Sequence, residues 1–214
     1  MDKEKVLKKF GNADFSVNDK TYVMGINHIL SRHIAERFKG FSRILEVCTG
    51  AGFMLIPLAK VVSNIVTVDI NPENIEQAKN NLEISGVKSN VRFVLGDVMD
   101  DSTLANIEEI DAAFLDPDWS IVDDKKVHEQ KLSSMQPPAD KLFERIEEIT
   151  RNIALRLPKE LDLNELKILP KHELEAIYLD DKLKFYCIYF GKLAKSIGAT
   201  ESRLFSNSEN TSHN

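Results

Sequence analysis

Residue types with versatile side-chain chemistry are scarce in this chain of 214 residues: it holds two cysteines, five histidines and one tryptophan. Cys48 and Cys187 sit apart in apolar runs and no Cys-x-x-Cys occurs, so neither a zinc site nor a disulfide framework is expected, and both thiols read as buried and reduced. No apolar run approaches the roughly 18 residues that cross a bilayer. No signal peptide is recognisable either, which predicts a cytoplasmic protein away from membranes. Basic residues are missing from one long stretch. Residues 97–124 contain no lysine or arginine but ten carboxylates, and the net charge is −6. That excludes a surface coated in positive charge for duplex nucleic acid. Internal repeats and low-complexity linkers are absent.

What is present suits a soluble α/β protein. The apolar share of 43% and charged share of 29% are ordinary, and the length can bury a substantial core. Apolar residues recur at helical spacing over residues 22–38, ending before Gly40. Short apolar strands are expected at residues 43–48, 65–69, 91–95, 112–115 and 153–157, with helices between them at 53–62, 71–85, 102–108 and 139–151. Asn71 followed by Pro72 reads as a helix start, and Gly86 as its stop. Two further strands, 172–179 and 183–190, flank Asp180-Asp181-Lys182 as a hairpin. Strands alternating with helices imply a parallel sheet covered on both faces, and the hairpin implies an antiparallel strand near the end. Residues 121–138 read as a long polar, functional loop.

Two stretches carry chemistry. Ile44-Leu45-Glu46-Val47-Cys48-Thr49-Gly50-Ala51-Gly52 is a strand, an acid and a glycine turn; Val66-Thr67-Val68-Asp69-Ile70 is the next strand, closing on a carboxylate. Such a βαβ unit builds a nucleoside pocket: glycine lets backbone approach a ligand, and an acid about 20 residues on accepts from ribose hydroxyls. The fourth strand ends in Asp116-Pro117-Asp118-Trp119, at the place where open α/β sheets put their chemistry.

This pattern resembles the class I S-adenosylmethionine-dependent methyltransferases. The resemblance implies a Rossmann-like α/β fold: a mostly parallel seven-stranded sheet with an antiparallel last strand and helices on both faces. The family's acid-x-Gly-x-Gly-x-Gly motif is matched by Glu46 to Gly52, with Cys48 at the first glycine. By that resemblance the cofactor is S-adenosyl-L-methionine, leaving as S-adenosyl-L-homocysteine. Gly50 and Gly52, with Cys48 in their turn, would lie beneath its methionine part. Glu46 would hold its ammonium group and Asp69 its ribose, Ile70 would cover the adenine, and Asp97, beside Val98, would accept from the adenine amine. Asp116-Pro117-Asp118-Trp119 is similar to the [Asp/Asn/Ser]-Pro-Pro-[Tyr/Phe/Trp] motif of enzymes that methylate planar amines, with Asp118 replacing the second proline. Asp116 and the Pro117 carbonyl would accept the amine hydrogens, and Trp119 would stack on the ring. A metal has no part in this chemistry.

Within that class the chain resembles most the trimethylguanosine synthase-like RNA cap guanine-N2 methyltransferases, through the helix beginning Tyr22-Val23-Met24, the non-glycine start of the turn and the tryptophan that closes the proline motif. That implies methylation of an exocyclic amine of an RNA base, with guanine N2 favoured by motif fit, and Tyr22, Asp118 and Trp119 on the substrate side. The acidic stretch points elsewhere, to a protein amide or a small molecule. A third reading is a scaffold that binds the donor without catalysis. RNA or a nucleotide is then the expected partner, with room for a separate RNA-binding protein, and nothing sets the oligomeric state. The chain divides into an arm and helix at residues 1–38, a donor-binding domain at 39–205 and a disordered tail at 206–214. His28 and His33 read as helix-surface residues, and His128 lies in the polar loop.

Overall fold

The computed structural model describes residues 1–105, 107, 109–119 and 130–206. The strands are β1 (Arg43–Val47), β2 (Asn64–Asp69), β3 (Asn90–Leu95), β4 (Ala112–Leu115), β5 (Ile153–Pro158), β6 (Glu173–Leu179), β7 (Lys182–Tyr189) and β8 (Gly198–Leu204). The helices are α1 (Lys3–Phe10), α2 (Asp19–Met24), α3 (His28–Ala35), α4 (Leu55–Val61), α5 (Pro72–Ile84), α6 (Asp101–Leu104) and α7 (Ala139–Glu147). One sheet runs β3-β2-β1-β4-β5-β7-β6-β8. Only β7 runs against its neighbours. Successive strand residues point to opposite faces. Ile44 and Phe114 therefore join a core with α3, α4 and α5, while Leu45 and Leu115 join a second core with α7.

Two expectations need correction. The sheet has eight strands rather than seven, and its antiparallel strand is not the last in sequence. The unforeseen β8 pairs parallel to β6. Gly-Ala-Thr-Glu-Ser-Arg-Leu carries no apolar run, so its pairing rests on backbone ladder bonds and on Thr200 and Ser202, whose hydroxyls donate to Glu173 (3.0 Å) and Glu175 (2.5 Å). The helical stretch at 22–38 is also broken. α2 ends at Gly25, which is extended, and Asn27 caps α3. A side chain at Gly25 would collide with the rings of Phe53 and Phe10, 2.6 and 2.8 Å from its Cβ.

The α3 helix is held to the sheet by a buried polar cluster. Arg37 donates two bonds to Glu173, at 2.8 and 2.9 Å. Glu175 accepts from Tyr189 and Ser202 and pairs with His33 Nε2 at 2.8 Å. His33 is thus a partner in this cluster rather than a free surface residue. Of the expected polar loop, residues 130–138 are described, and they contribute Leu132 and Met135 to the core; the rest of it, with His128, and the expected tail beyond Ser206 lie outside the described residues.

Candidate active site

The chain reverses across the sheet between β1 and β4, and a crevice opens over their carboxyl ends, as open α/β sheets dictate. Its volume is about 1100 Å³. That is just above the roughly 300–1,000 Å³ typical of small-molecule pockets.

The glycine turn forms the floor. Cys48, Gly50 and Gly52 all take left-handed φ, at +66°, +54° and +82°. A Cβ on Gly50 would meet nothing within 4 Å, so its backbone is bare to the crevice. Gly52 faces the other way: its Cβ would come within 3.2 Å of Ala78, so glycine there seats the turn on α5. Cys48 holds its conformation at a cost of roughly 1–2 kcal/mol for a residue with a side chain. The residue as a whole is partly buried and borders the crevice. Burial, with Asp69 and Asp116 close by, holds its thiol well above the usual pKa, which makes it a poor nucleophile.

Four carboxylates surround this turn. Asp69 accepts from Gly50 N and Asn71 N, both at 2.9 Å, and from Asn74. Burial raises its pKa, although these donors oppose the shift. Beside it Ile70 is 66% exposed on the crevice wall. Asp97 caps the next turn through Met99 N at 2.9 Å, with Val98 packed behind. Asp116 is tied to β1 through its N–H to Val47 O at 3.2 Å. Glu46 is the exception among the expected residues. It lies beneath the floor, 1% exposed, and Oε2 accepts from Thr67 at 2.5 Å. Its Oε1 is buried and has no hydrogen-bond partner among the described residues. Burial pushes this carboxyl up to about 8.

At the far end stands the proline corner. Asp118 exchanges two backbone bonds with Gln136, at 2.8 and 2.9 Å, and its carboxylate pairs with Lys20 at 3.3 Å. Pro117 and the half-buried Trp119 complete the wall. Sequence reasoning missed Arg156. Its Nε donates to Asp116 Oδ1 at 2.7 Å and its guanidinium lies 4.2 Å from the Trp119 ring. The signal was available: one charged residue inside the apolar strand Ile-Ala-Leu-Arg-Leu-Pro.

The amino-terminal segment roofs the crevice. Phe10 stacks on Phe53 with centroids 3.5 Å apart, fixing α1 over the glycine turn. Tyr22, Lys5, Lys8, Lys9, Lys20 and Lys184 line the mouth. Lys9 donates to the carbonyls of Tyr22 and Val23 at the end of α2, and burial, helped by Arg156, lowers its pKa to about 8. His28 meets the Lys9 carbonyl at 3.2 Å. Among the described residues no cluster of metal ligands occurs, and no helix is long and apolar enough to cross a membrane.

The walls fit an adenosyl donor with a cationic tail. They offer bare backbone at Gly50, an exposed apolar face at Ile70, and carboxylates at Asp69, Asp97, Asp116 and Asp118 in a part-desolvated space. Every sequence-predicted site residue except Glu46 and Gly52 lines this one crevice.

Comparison with known proteins agrees. Residues 41–193 match the family described as RNA cap guanine-N2 methyltransferase. Trimethylguanosine synthase of Schizosaccharomyces pombe is 30% identical over 167 residues, covering 72% of this chain and 69% of that protein. An uncharacterized RNA methyltransferase of Synechocystis is 27% identical over 116 residues, 51% of this chain and 24% of its own length. A crystal structure of a candidate methyltransferase from Porphyromonas gingivalis W83 superposes with a TM-score of 0.74 at 15% identity. It covers 92% of this chain, which spans about half (49%) of that one. TrmK of M. capricolum, solved with S-adenosyl-homocysteine, gives 0.50 at 14% identity over 81% of this chain and 69% of its own. With the family matched over most of its length and the crevice built to suit, the chain belongs to the RNA cap guanine-N2 methyltransferase family and is a class I S-adenosylmethionine-dependent methyltransferase.

Proposed function

We propose that this enzyme methylates an exocyclic amine of an RNA base, with guanine N2 as the acceptor nitrogen. The observation that carries this reading is the convergence of Asp116, Pro117 and Trp119 on the same crevice as the glycine turn. An aryl amine is a weak nucleophile because its lone pair is spread into the ring. Asp116 and the Pro117 carbonyl accept its hydrogens and concentrate that pair on nitrogen. Trp119 holds the ring, a stack worth about 1–3 kcal/mol. When bound, the donor supplies a methyl carbon on a positively charged sulfur, open to displacement. Gly50, Asp69, Ile70, Asp97 and Val98 would hold it, with Cys48 and Gly52 shaping the turn and Glu46 beneath. The remaining contribution of the protein is alignment. Asp116 takes the proton that the methylated nitrogen sheds. Burial moves this carboxyl upward against the pull of Arg156, in the direction that favours a proton acceptor.

The objection raised by the acidic stretch is met by the roof. Residues 1–38 form the substrate side in this reading, and they bring Lys5, Lys8 and Lys20 to the crevice mouth, where phosphates need them. Nucleosides from cells with and without the protein, analysed by mass spectrometry, test the assignment. Loss of an N2-methylated guanosine on deletion, restored by wild type but not by Asp116→Ala, is the expected result. Transfer of labelled methyl to protein rather than RNA would move the reading to an amide acceptor.

A further inference from the structure

We infer that Arg156 is the positioning residue of this site: a single guanidinium fixes the Asp116 carboxylate, the plane of the Trp119 indole and the end of α2 together, leaving only the opposite indole face for the acceptor ring. The inference rests on the reading that Asp116 and Trp119 serve the acceptor. Parallel pairing of β4 with β5, Leu115 opposite Leu155, sets Arg156 alongside Asp116. Only 6% of Arg156 is exposed. It makes three different contacts: Nε to Asp116 Oδ1 at 2.7 Å, Nη2 to the Met24 carbonyl at 3.1 Å, and its planar group 4.2 Å from the Trp119 ring. Phe185 lies 5.2 Å away on another side. These partners come from three separate stretches of chain, and nothing else named in the crevice touches all of them. A planar fork that bonds at its edge and stacks on its face can do this; a lysine ammonium supplies charge without the stack.

Among the described residues, other titratable groups also act on this pair. Glu46 and Cys48 of the β1 turn face Asp116, as does Asp118 from its own corner. Lys9 of α1 and Cys187, opposite on β7, face Arg156. Of these, Arg156 is the cation bonded directly to Asp116.

Trp119 is the sole tryptophan, so intrinsic fluorescence reports on this corner alone. Arg156→Met, nearly equal in size, should steepen acrylamide quenching of Trp119 and lower kcat on the order of 100-fold through misalignment. The acid limb of its kcat–pH profile should move up by about 1–3 units, because Asp116 loses its opposite charge. Calorimetric binding of S-adenosylhomocysteine should stay near wild type. Arg156→Lys should restore the pH limb but not the quenching. Unchanged quenching and an unmoved limb in folded Arg156→Met would overturn the inference, as would full restoration of both by lysine. If Arg156→Met does not fold, Asp116→Ala decides: it removes the acceptor of Arg156 Nε from β4, and quenching that stays at the wild-type level would overturn the inference equally. The quenching measurements use no acceptor. A wild type that fails to label RNA while quenching responds refutes the RNA reading alone; labelling without a quenching response refutes the role of Arg156 alone.

Discussion

Two clusters of buried carboxyls lie in this molecule, and burial acts on both with the same sign. At the crevice, Glu46 beneath its floor and Asp69 and Asp116 on its walls end up with raised pKa values; at the α3–sheet junction, Glu173 and Glu175 end up with lowered ones. The difference lies in what answers the desolvation. Glu173 receives both arms of Arg37, the Lys195 N–H and Thr200, while Glu175 has His33, Ser202 and Tyr189. Glu46 has threonine hydroxyls and an oxygen with nothing to accept from among the described residues. A carboxyl whose needs the protein meets is structural. Carboxyls buried without a bonded cation among the described residues, as Glu46 and Asp69 are, are costly alone and favour a cationic guest, and an adenosyl donor with sulfonium and ammonium groups is such a guest.

The largest expected break in this comparison is Arg37→Ala. It takes the bonded cation from the buried Glu173 and should cost about 3–5 kcal/mol in urea unfolding, with S-adenosylhomocysteine binding near wild type wherever the protein remains folded. The pH signatures come next, and they have opposite signs. Glu175, brought from 4.5 to about 2, contributes stability that is complete above 4.5 and is lost as pH falls towards 2. That contribution is roughly 3 kcal/mol by linkage, and Glu175→Gln should lack this acid-dependent part. Glu46, raised from 4.5 to about 8, contributes stability that is present below 4.5 and drains away as pH rises through 8; Glu46→Gln should flatten urea midpoints measured between pH 5 and pH 8. Trp119→Ala should then weaken acceptor binding by about 1–3 kcal/mol, with S-adenosylhomocysteine binding near wild type in the folded protein. Trp119→Phe should retain more activity; equal loss in both would remove stacking from its role. The smallest effect is Gly52→Ala, about 1–2 kcal/mol of destabilisation from its φ of +82°, seen as a lower thermal midpoint.

Much of the fold was legible because its signals are local. β4 falls at Ala112–Leu115 and α5 starts behind Asn71 at Pro72, where the apolar run and the cap placed them. The hairpin turn at Asp180 and Asp181 takes the left-handed φ values, 51° and 57°, that such turns require. What escaped was written in partners rather than in pattern. β8 is polar along its length and is held by β6. The break at Gly25 is imposed by two rings from distant segments. Arg156 resembles any arginine until its neighbours are known, and His33 looked like surface until Glu175 lay beneath it.

The sequence by itself determined the βαβ unit, the carboxylates at strand ends and the proline corner, because strand period, glycine turns and caps are properties of neighbouring residues. Only the tertiary structure decided that lysines from the first twenty residues would stand at the mouth of an acid-lined crevice, and that the guanidinium of Arg156 would back its tryptophan. Charge meets charge through space, and residues 9 and 156 become neighbours only when the sheet has closed its order and the roof has packed against Phe53.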